Sequence, residues 1–456
     1  MFNQRRLKFT FVSFLILLSL ILVDIFQLQT EEFDSTSQTI DRQNLDKFYI
    51  TAPRGEIYDI NGEKIVRTIL EPHLFINLRK ITNQNLLNYK QIIQYNFSEL
   101  DNNEINEIFD SKEILSLVIN LSNVEYEVRN NLLMNYDAFE IIDLPIRQYI
   151  QNELFAHTIG YLGKPNQDDT GEFINALRNN QVGKNGLERQ YEDFLSGTSG
   201  EIIFEGSKII NFKQPIPGND LFLSIDSLTQ SVVRESLQQG IELANKSFAS
   251  SSEIKRGAAV VLDIETGNVV SMVSLPDYDP NKFITGISDF EYKQLDREQA
   301  FNNFAIQGLY PPGSVFKVVA YWLAISENIF PEELNNKDSN IDCEGSLSFG
   351  FDDGSQQVYN DWKLEGHGKV DLGEAIRQSC NVYFWDIALK IWRNFGNTEA
   401  ESVLQDYSRE LGFSNKTNID LPFEKVGIIP DRELFEEWKI SRLSLIHISE
   451  PTRLSG

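Results

Sequence analysis

The sequence predicts an α+β, multi-domain chain with three parts: an N-terminal transmembrane helix, a mixed α/β domain over residues 49–217, and a second domain over 218–443 in which helices surround an antiparallel sheet. Three observations carry that prediction. At 456 residues the chain exceeds what one ordinary core spans. Hairpin signals recur: Asn61-Gly62 lies between short β-like runs, and Glu265-Thr266-Gly267-Asn268 lies between alternating apolar residues in 256–283. Long apolar-periodic runs, "LTQSVVRESLQQGIELA" and "VFKVVAYWLAI", alternate with those strands and read as helices.

The first element sets the compartment. "MFNQRRLK" carries Arg5, Arg6 and Lys8, and residues 9–28 are apolar except for Asp24, about one bilayer thickness of helix. The basic flank, residues 1–8, is expected to stay in the cytoplasm, so the rest of the chain is exported. A cleaved signal peptide is the competing reading, but no small-x-small site follows the apolar core. Residues 29–48 form a polar connector. The stretch from Ile81 to Tyr136, rich in Asn, Glu, Leu and Ile at loose helical spacing, reads as a helical subdomain with solvated polar faces. "GKNGLERQYEDFLSGTSGE" (183–201) reads as a turn and a short amphipathic helix ending at Gly197, and "GNDLFLSID" as a strand before the long helix. Residues 444–456, "SLIHISEPTRLSG", lack periodicity, look foreign to what precedes them and are set apart as a non-native tail resembling sequencing-adapter read-through.

Composition narrows function. With 41 basic against 67 acidic residues the net charge is −26, which argues against nucleic acid as a partner. Two cysteines cannot build a disulfide scaffold.

"YPPGSVFK" poses the chemical question. Pro311-Pro312-Gly313 breaks the chain, and Ser314 suits the cap or first turn of the apolar helix that follows. The chemical alternative is that Ser314 is a nucleophile with Lys317 as its base. Residues three apart share a helix face, and a serine needs an adjacent base to attack a carbonyl. Val315, Phe316, Val318, Val319, Tyr321 and Trp322 would bury the pair's surroundings. A second helix start, Ser379-Cys380-Asn381, lies downstream: Ser379 could relay protons between Lys317 and a leaving amine, while Asn381 holds Lys317 and a substrate amide.

Taken with "RGEIYDINGE", "AHTIGYLG", "GKNGLERQYEDFLSG", "AAVVLDIETGNVVSMVSLPDYDPN" and "GHGKVDLGEAIRQSCNVYFW", in that order, these motifs resemble the class B penicillin-binding proteins of the elongation type. The resemblance runs from the N-terminal apolar stretch to about Lys439. It implies a pedestal (dimerisation) domain followed by a penicillin-binding serine D,D-transpeptidase domain that crosslinks peptidoglycan stem peptides in cell-shape and elongation synthesis. Ser314 would form the acyl-enzyme, with Lys317, Ser379 and Asn381 as the other catalytic residues, and β-lactam antibiotics would acylate Ser314. It further implies the bacterial inner membrane, a periplasmic catalytic domain, and partnership with a SEDS-type glycosyltransferase and other elongation-complex proteins. No cofactor is required for catalysis.

Two departures stand out. Ile60 occupies a position where the pedestal motif usually has arginine. No Lys-Thr-Gly follows Asn381, and Lys416-Thr417-Asn418 comes too early, so the transpeptidase domain reads as truncated at its C-terminus. Alternatives to the transpeptidase are a D,D-carboxypeptidase or β-lactamase of the same serine fold, or a catalytically inert penicillin-binding scaffold or sensor.

Cys343, Asp361, His367 and Cys380 supply zinc's usual ligand types and suit a closed structural site. A Cys343–Cys380 disulfide, or two free thiols with His367 merely part of a "GHG" turn, are the other readings. His73 and His157 read as structural, His447 belongs to the tail, Asp352-Asp353 reads as a solvated loop, and Arg54, Gly55 and Arg147 as shaping the pedestal.

Overall fold

The computed structural model describes residues 45–173, 181–247, 253–331, 336–350, 356–396, 398, 402–431 and 434. The apolar stretch 9–28, Asp352-Asp353 and the tail 444–456 lie outside them. No helix among the described residues is long and apolar enough to cross a membrane. The chain divides into two compact units, with the division between Phe301 and Asn302.

The first unit is organised by a long central strand. β1 (Leu45–Ile50), β2 (Ile57–Tyr58) and β3 (Lys64–Asn77) come first. The turn between β2 and β3 is the Asn61-Gly62 hairpin, closed by Asp59 N–H donating to Glu63 O, with Gly62 at φ +80°. Ile60 sits on it, 58% exposed, so the departure there alters only local surface. β3 pairs antiparallel with both β4 (Leu115–Asn120) and β5 (Phe139–Tyr149). Between these strands come α1 (Leu86–Asn96), α2 (Asn102–Asp110) and α3 (Tyr126–Asn135), which bury Ile92, Ile93, Ile105 and Leu132 against Leu74 and Ile76 of β3. The 81–136 stretch is therefore helical as expected except for β4. Its six residues, LSLVIN, are too short to show their own period and become a strand by pairing with β3.

A separate three-stranded sheet pairs β1 with β6 (Gly200–Glu205) and β6 with β7 (Lys208–Lys213). β8 (Leu221–Phe222) leads into α4 (Ser227–Ser247), and the hairpin of β9 (Gly257–Leu262) and β10 (Val269–Leu275) follows, as its turn residues predict. This stretch is bonded into the first unit: Gln230 donates to Leu154 O, Tyr278 to Ala156 O, and Asn281 to Tyr149 O.

At the unit's centre is a buried ion network. Glu188, fully buried, accepts from Arg54 Nη2 at 2.8 Å and Arg147 Nε at 2.7 Å, and Arg54 also reaches Glu192 at 2.9 Å. Arg147 Nη1 donates to Gly55 O at 2.6 Å. A Cβ on Gly55 would stand 1.8 Å from Asn219 O, so only glycine lets these two backbones meet. His73 bonds Glu71 O, and buried His157 bonds Ala300 O at 2.8 Å.

The second unit packs helices around the short antiparallel pairs β11 (Ile341–Cys343) with β14 (Gly368–Val370), and β12 (Ser346–Gly350) with β13 (Gln356–Asn360). Its helices are α5 (Lys317–Ser326), α6 (Leu372–Arg377), α7 (Asn381–Phe395) and α8 (Val403–Glu410). α7 is the core: Val382, Tyr383, Phe384, Trp385, Ile387 and Ile391 are buried against Leu323, Ala324 and Val370.

Candidate active site

Pro312 and Gly313, the latter at φ +57°, turn the chain into a 3₁₀ segment, Gly313–Phe316, that runs directly into α5. Neither helix start carries a side-chain cap hydrogen bond, and the cap residues are Pro312 and Phe316. Ser314 is exposed and is not the cap of either segment. Lys317, one turn on, is 2% exposed. The helix turns differently from the expectation: Val315, Val318 and Trp322 are exposed, and the buried face is Lys317, Val319, Ala320, Leu323 and Ala324. α5 is apolar on its exposed side as well, and its one charged side chain, Lys317, lies on the buried face.

The Lys317 amine donates to Ser379 O at 2.8 Å, Ser379 Oγ at 3.1 Å and Asn381 Oδ1 at 2.5 Å, and lies 5.7 Å from the Phe384 ring centroid. Two motifs more than 60 residues apart are thereby joined through one lysine amine. Ser379 sits between α6 and α7 at φ +53°, a left-handed conformation that a residue with a Cβ adopts only when its surroundings impose it. That conformation follows the end of α6, where Ser379 N–H donates to Ile376 O and Cys380 N–H to Ala375 O, and it allows Asn381 to begin α7.

What fixes the start of α7 is Asp361. Its Oδ2 accepts from Asn381 N–H at 2.8 Å and Val382 N–H at 3.3 Å, twenty or so residues away in sequence. A buried carboxylate on the first N–H groups of a helix satisfies orphan donors and meets the positive end of the dipole. Sequence reading had Asp361 only as a metal ligand; no local pattern links "YNDW" to "SCNV". Gln378 was missed too: its Oε1 holds His367 Nδ1 at 2.9 Å, orienting the ring.

Three of the four metal-ligand candidates come together, and His367 touches the cluster through Asp361. The ligand atoms of Cys343, Asp361 and Cys380 lie within 4.8 Å of one another, and His367 Nε2 is 3.3 Å from Asp361 Oδ1. Both cysteines are buried free thiols, so the disulfide reading does not describe this structure. Tetrahedral zinc places its ligand atoms roughly 3–4 Å apart, so a small inward movement of the same side chains would close around it. Burial pushes the Cys380 thiol up to about 12, the neighbouring Cys343 adding to the effect. A metal would displace that proton and turn a desolvated thiol into a ligand.

Lys416-Thr417-Asn418 is not on a strand. It lies in irregular chain, and the Thr417 hydroxyl is taken by Glu424 at 2.7 Å.

A helix-borne Ser-x-x-Lys whose lysine bonds a Ser-x-Asn segment is the arrangement that the class B resemblance implied. Comparisons agree. Residues 49–223 match the penicillin-binding protein dimerisation domain and residues 257–450 the penicillin-binding protein transpeptidase domain. The peptidoglycan D,D-transpeptidase MrdA of Haemophilus influenzae is 30% identical over 458 residues, covering 96% of this chain and 64% of that protein. The MrdA of Acinetobacter baumannii is 29% identical over 433 residues, covering 91% and 58%. Among solved structures, the complex of penicillin-binding protein 2 and MreC from Helicobacter pylori matches with a TM-score of 0.71 at 26% identity, covering 90% of this chain and 72% of that one. Pseudomonas aeruginosa PBP2 in complex with WCK 5153 matches with a TM-score of 0.56 at 25% identity, covering 89% and 66%. The chain belongs to the class B penicillin-binding proteins of the PBP2 (MrdA) type. It spans about three fifths of the length of these curated relatives, 58% and 64%.

Proposed function

We propose that this chain carries the acylating half of a peptidoglycan D,D-transpeptidase. The observation that carries the reading is the Lys317 amine, buried and bonded to Ser379 and Asn381 while Ser314 stands exposed one turn before it. Ser314 Oγ attacks the carbonyl of the penultimate D-alanine of a stem peptide, and its proton passes to Lys317. The C–N bond breaks as Ser379, within 3.1 Å of the amine, relays a proton to the departing D-alanine nitrogen. The amine of a second stem peptide then attacks the ester, forming the crosslink and returning the Ser314 hydroxyl. Such chemistry makes Ser314 the target of β-lactams, which present a strained amide to the same nucleophile. The test is crosslinking of nascent peptidoglycan by the protein in its native membrane. Free D-alanine and crosslinked dimers are expected with the native sequence and absent with Ser314→Ala; crosslinking that survives Ser314→Ala overturns the assignment.

The apolar segment 9–28 supports a single membrane anchor, with the catalytic unit on the periplasmic side of the bacterial inner membrane. H. pylori PBP2 is solved with MreC, which supports a partner of that kind for this chain, and a SEDS-type glycosyltransferase would supply the glycan. Zinc held by Cys343, Asp361, His367 and Cys380 would brace the start of α7 through Asp361, with no part in the acyl transfer. Metal analysis under non-reducing conditions is expected to find one zinc per chain, lost with Cys380→Ser; no stoichiometric zinc ends that reading.

A further inference from the structure

The first unit has a cleft that the acyl-transfer chemistry leaves unused. It opens between α1 and α3 with a volume of about 380 Å³, within the range of small-ligand sites. Its floor is apolar: Ile92 and Leu132 are buried members of the helical subdomain core. Its rim is aromatic: Tyr95 is 88% exposed, and the Tyr136 ring is braced edge-on by Tyr89 and Phe139 at 6.1 and 6.0 Å. Its walls are carboxamides from Gln91, Asn96 and Asn131.

Those carboxamides are partly committed in complementary senses. The Asn96 amide nitrogen donates to Ile92 O at 2.9 Å, which leaves its carbonyl as an acceptor. Asn131 Oδ1 accepts from Asn135 at 2.6 Å, which leaves its amide hydrogens as donors. Gln91 is exposed and offers both. Every lining residue is uncharged, in a chain where 24% of residues are charged. Anions would call for Lys or Arg and metals for carboxylates, and neither is here. A helix-binding groove would be lined by continuous apolar surface, whereas this one alternates rings and amides.

A neutral amino sugar fits each part. The apolar face of a pyranose ring lies on a tyrosine, its hydroxyls pair with carboxamides, and an N-acetyl group places its methyl on an apolar floor while its amide finds one donor and one acceptor. We propose that this cleft binds the N-acetylhexosamine backbone of a glycan strand. The identity of the sugar rests on the transpeptidase reading; the site itself does not.

The probe is chitotetraose, a peptide-free β-1,4-linked N-acetylglucosamine tetramer, titrated into the full chain by calorimetry. Saturable binding is expected, weakened at least tenfold by Tyr95→Ala and by Asn131→Ala, both exposed positions whose substitution leaves the fold intact. Ser314→Ala should not change it, and Tyr95→Ala should leave β-lactam acylation of Ser314 unchanged. No saturable binding up to about 10 mM sugar overturns the proposal. So does binding that Tyr95→Ala leaves intact, because the sugar then sits elsewhere. Normal sugar binding without Ser314 acylation would instead remove the transpeptidase reading and leave the cleft standing.

Discussion

Ser379 combines a catalytic hydroxyl with an imposed backbone, and the two can be separated by a pair of substitutions. At φ +53° a residue with a Cβ pays about 1–2 kcal/mol that glycine does not. Alanine regains about 0.4–1 kcal/mol because it restricts the unfolded chain more than glycine does. The balance favours Ser379→Gly over Ser379→Ala by about 1 kcal/mol, the reverse of the usual order in regular structure. Both variants lose the hydroxyl that lies 3.1 Å from the Lys317 amine, while the Ser379 carbonyl that accepts from it at 2.8 Å remains. Acylation by a β-lactam should therefore slow equally in both, by about 10²–10⁴, the usual worth of a positioned proton-transfer group. Urea unfolding followed at constant m gives the stability difference, and stopped acylation time courses give the rate. If the alanine variant equals or exceeds the glycine variant in stability, the left-handed turn is not what sets Asn381 at the head of α7. If either variant acylates at the native rate, Ser379 is not the relay.

Two further outcomes concern the pedestal. Glu188→Gln leaves the Arg147 guanidinium, 3% exposed, with only neutral acceptors such as Gly55 O and Thr68 Oγ1, so denaturant titration should show a loss of about 3–5 kcal/mol, whereas a loss under about 1 kcal/mol would mean that water reaches the network. Burial holds His157 below its ordinary imidazole value, opposed by its bond to Ala300 O, so the unfolded chain takes up a proton at a higher pH than the folded one. The stability it protects is present above about pH 6.5 and falls as the pH drops through that value towards the lower folded one. His157→Gln should flatten that slope between about pH 7.5 and 5.5, and an unchanged slope would assign the dependence to other groups.

Much of this was legible before any coordinates. Turn chemistry gave away the hairpins at Asn61-Gly62 and Glu265–Asn268, because the conformations those turns need are ones few residues adopt. Helix spacing placed Lys317 one turn beyond Ser314, and the Ser-x-Asn motif marked its partner. What stayed hidden was long-range. Asp361 holds the first N–H groups of α7, and Glu188 joins Arg54 and Arg147 across more than 130 and about 40 residues, contacts that exist only once the chain has folded. β4 looked like part of a helical run because six apolar-leaning residues carry no period of their own. The outward face of α5 was missed for a related reason: Val315, Val318 and Trp322 are apolar, and hydrophobicity alone does not say which side of a helix faces the core.

The central claim is that Ser314 is the nucleophile and that Lys317, through its bonds to Ser379 and Asn381, makes it one. Peptide mapping by mass spectrometry after benzylpenicillin treatment of the protein in its native membrane tests this most directly. A single penicilloyl adduct on Ser314, lost in Ser314→Ala and strongly slowed in Lys317→Met, is the predicted result; an adduct on another residue, or one that forms at the native rate without Lys317, contradicts it.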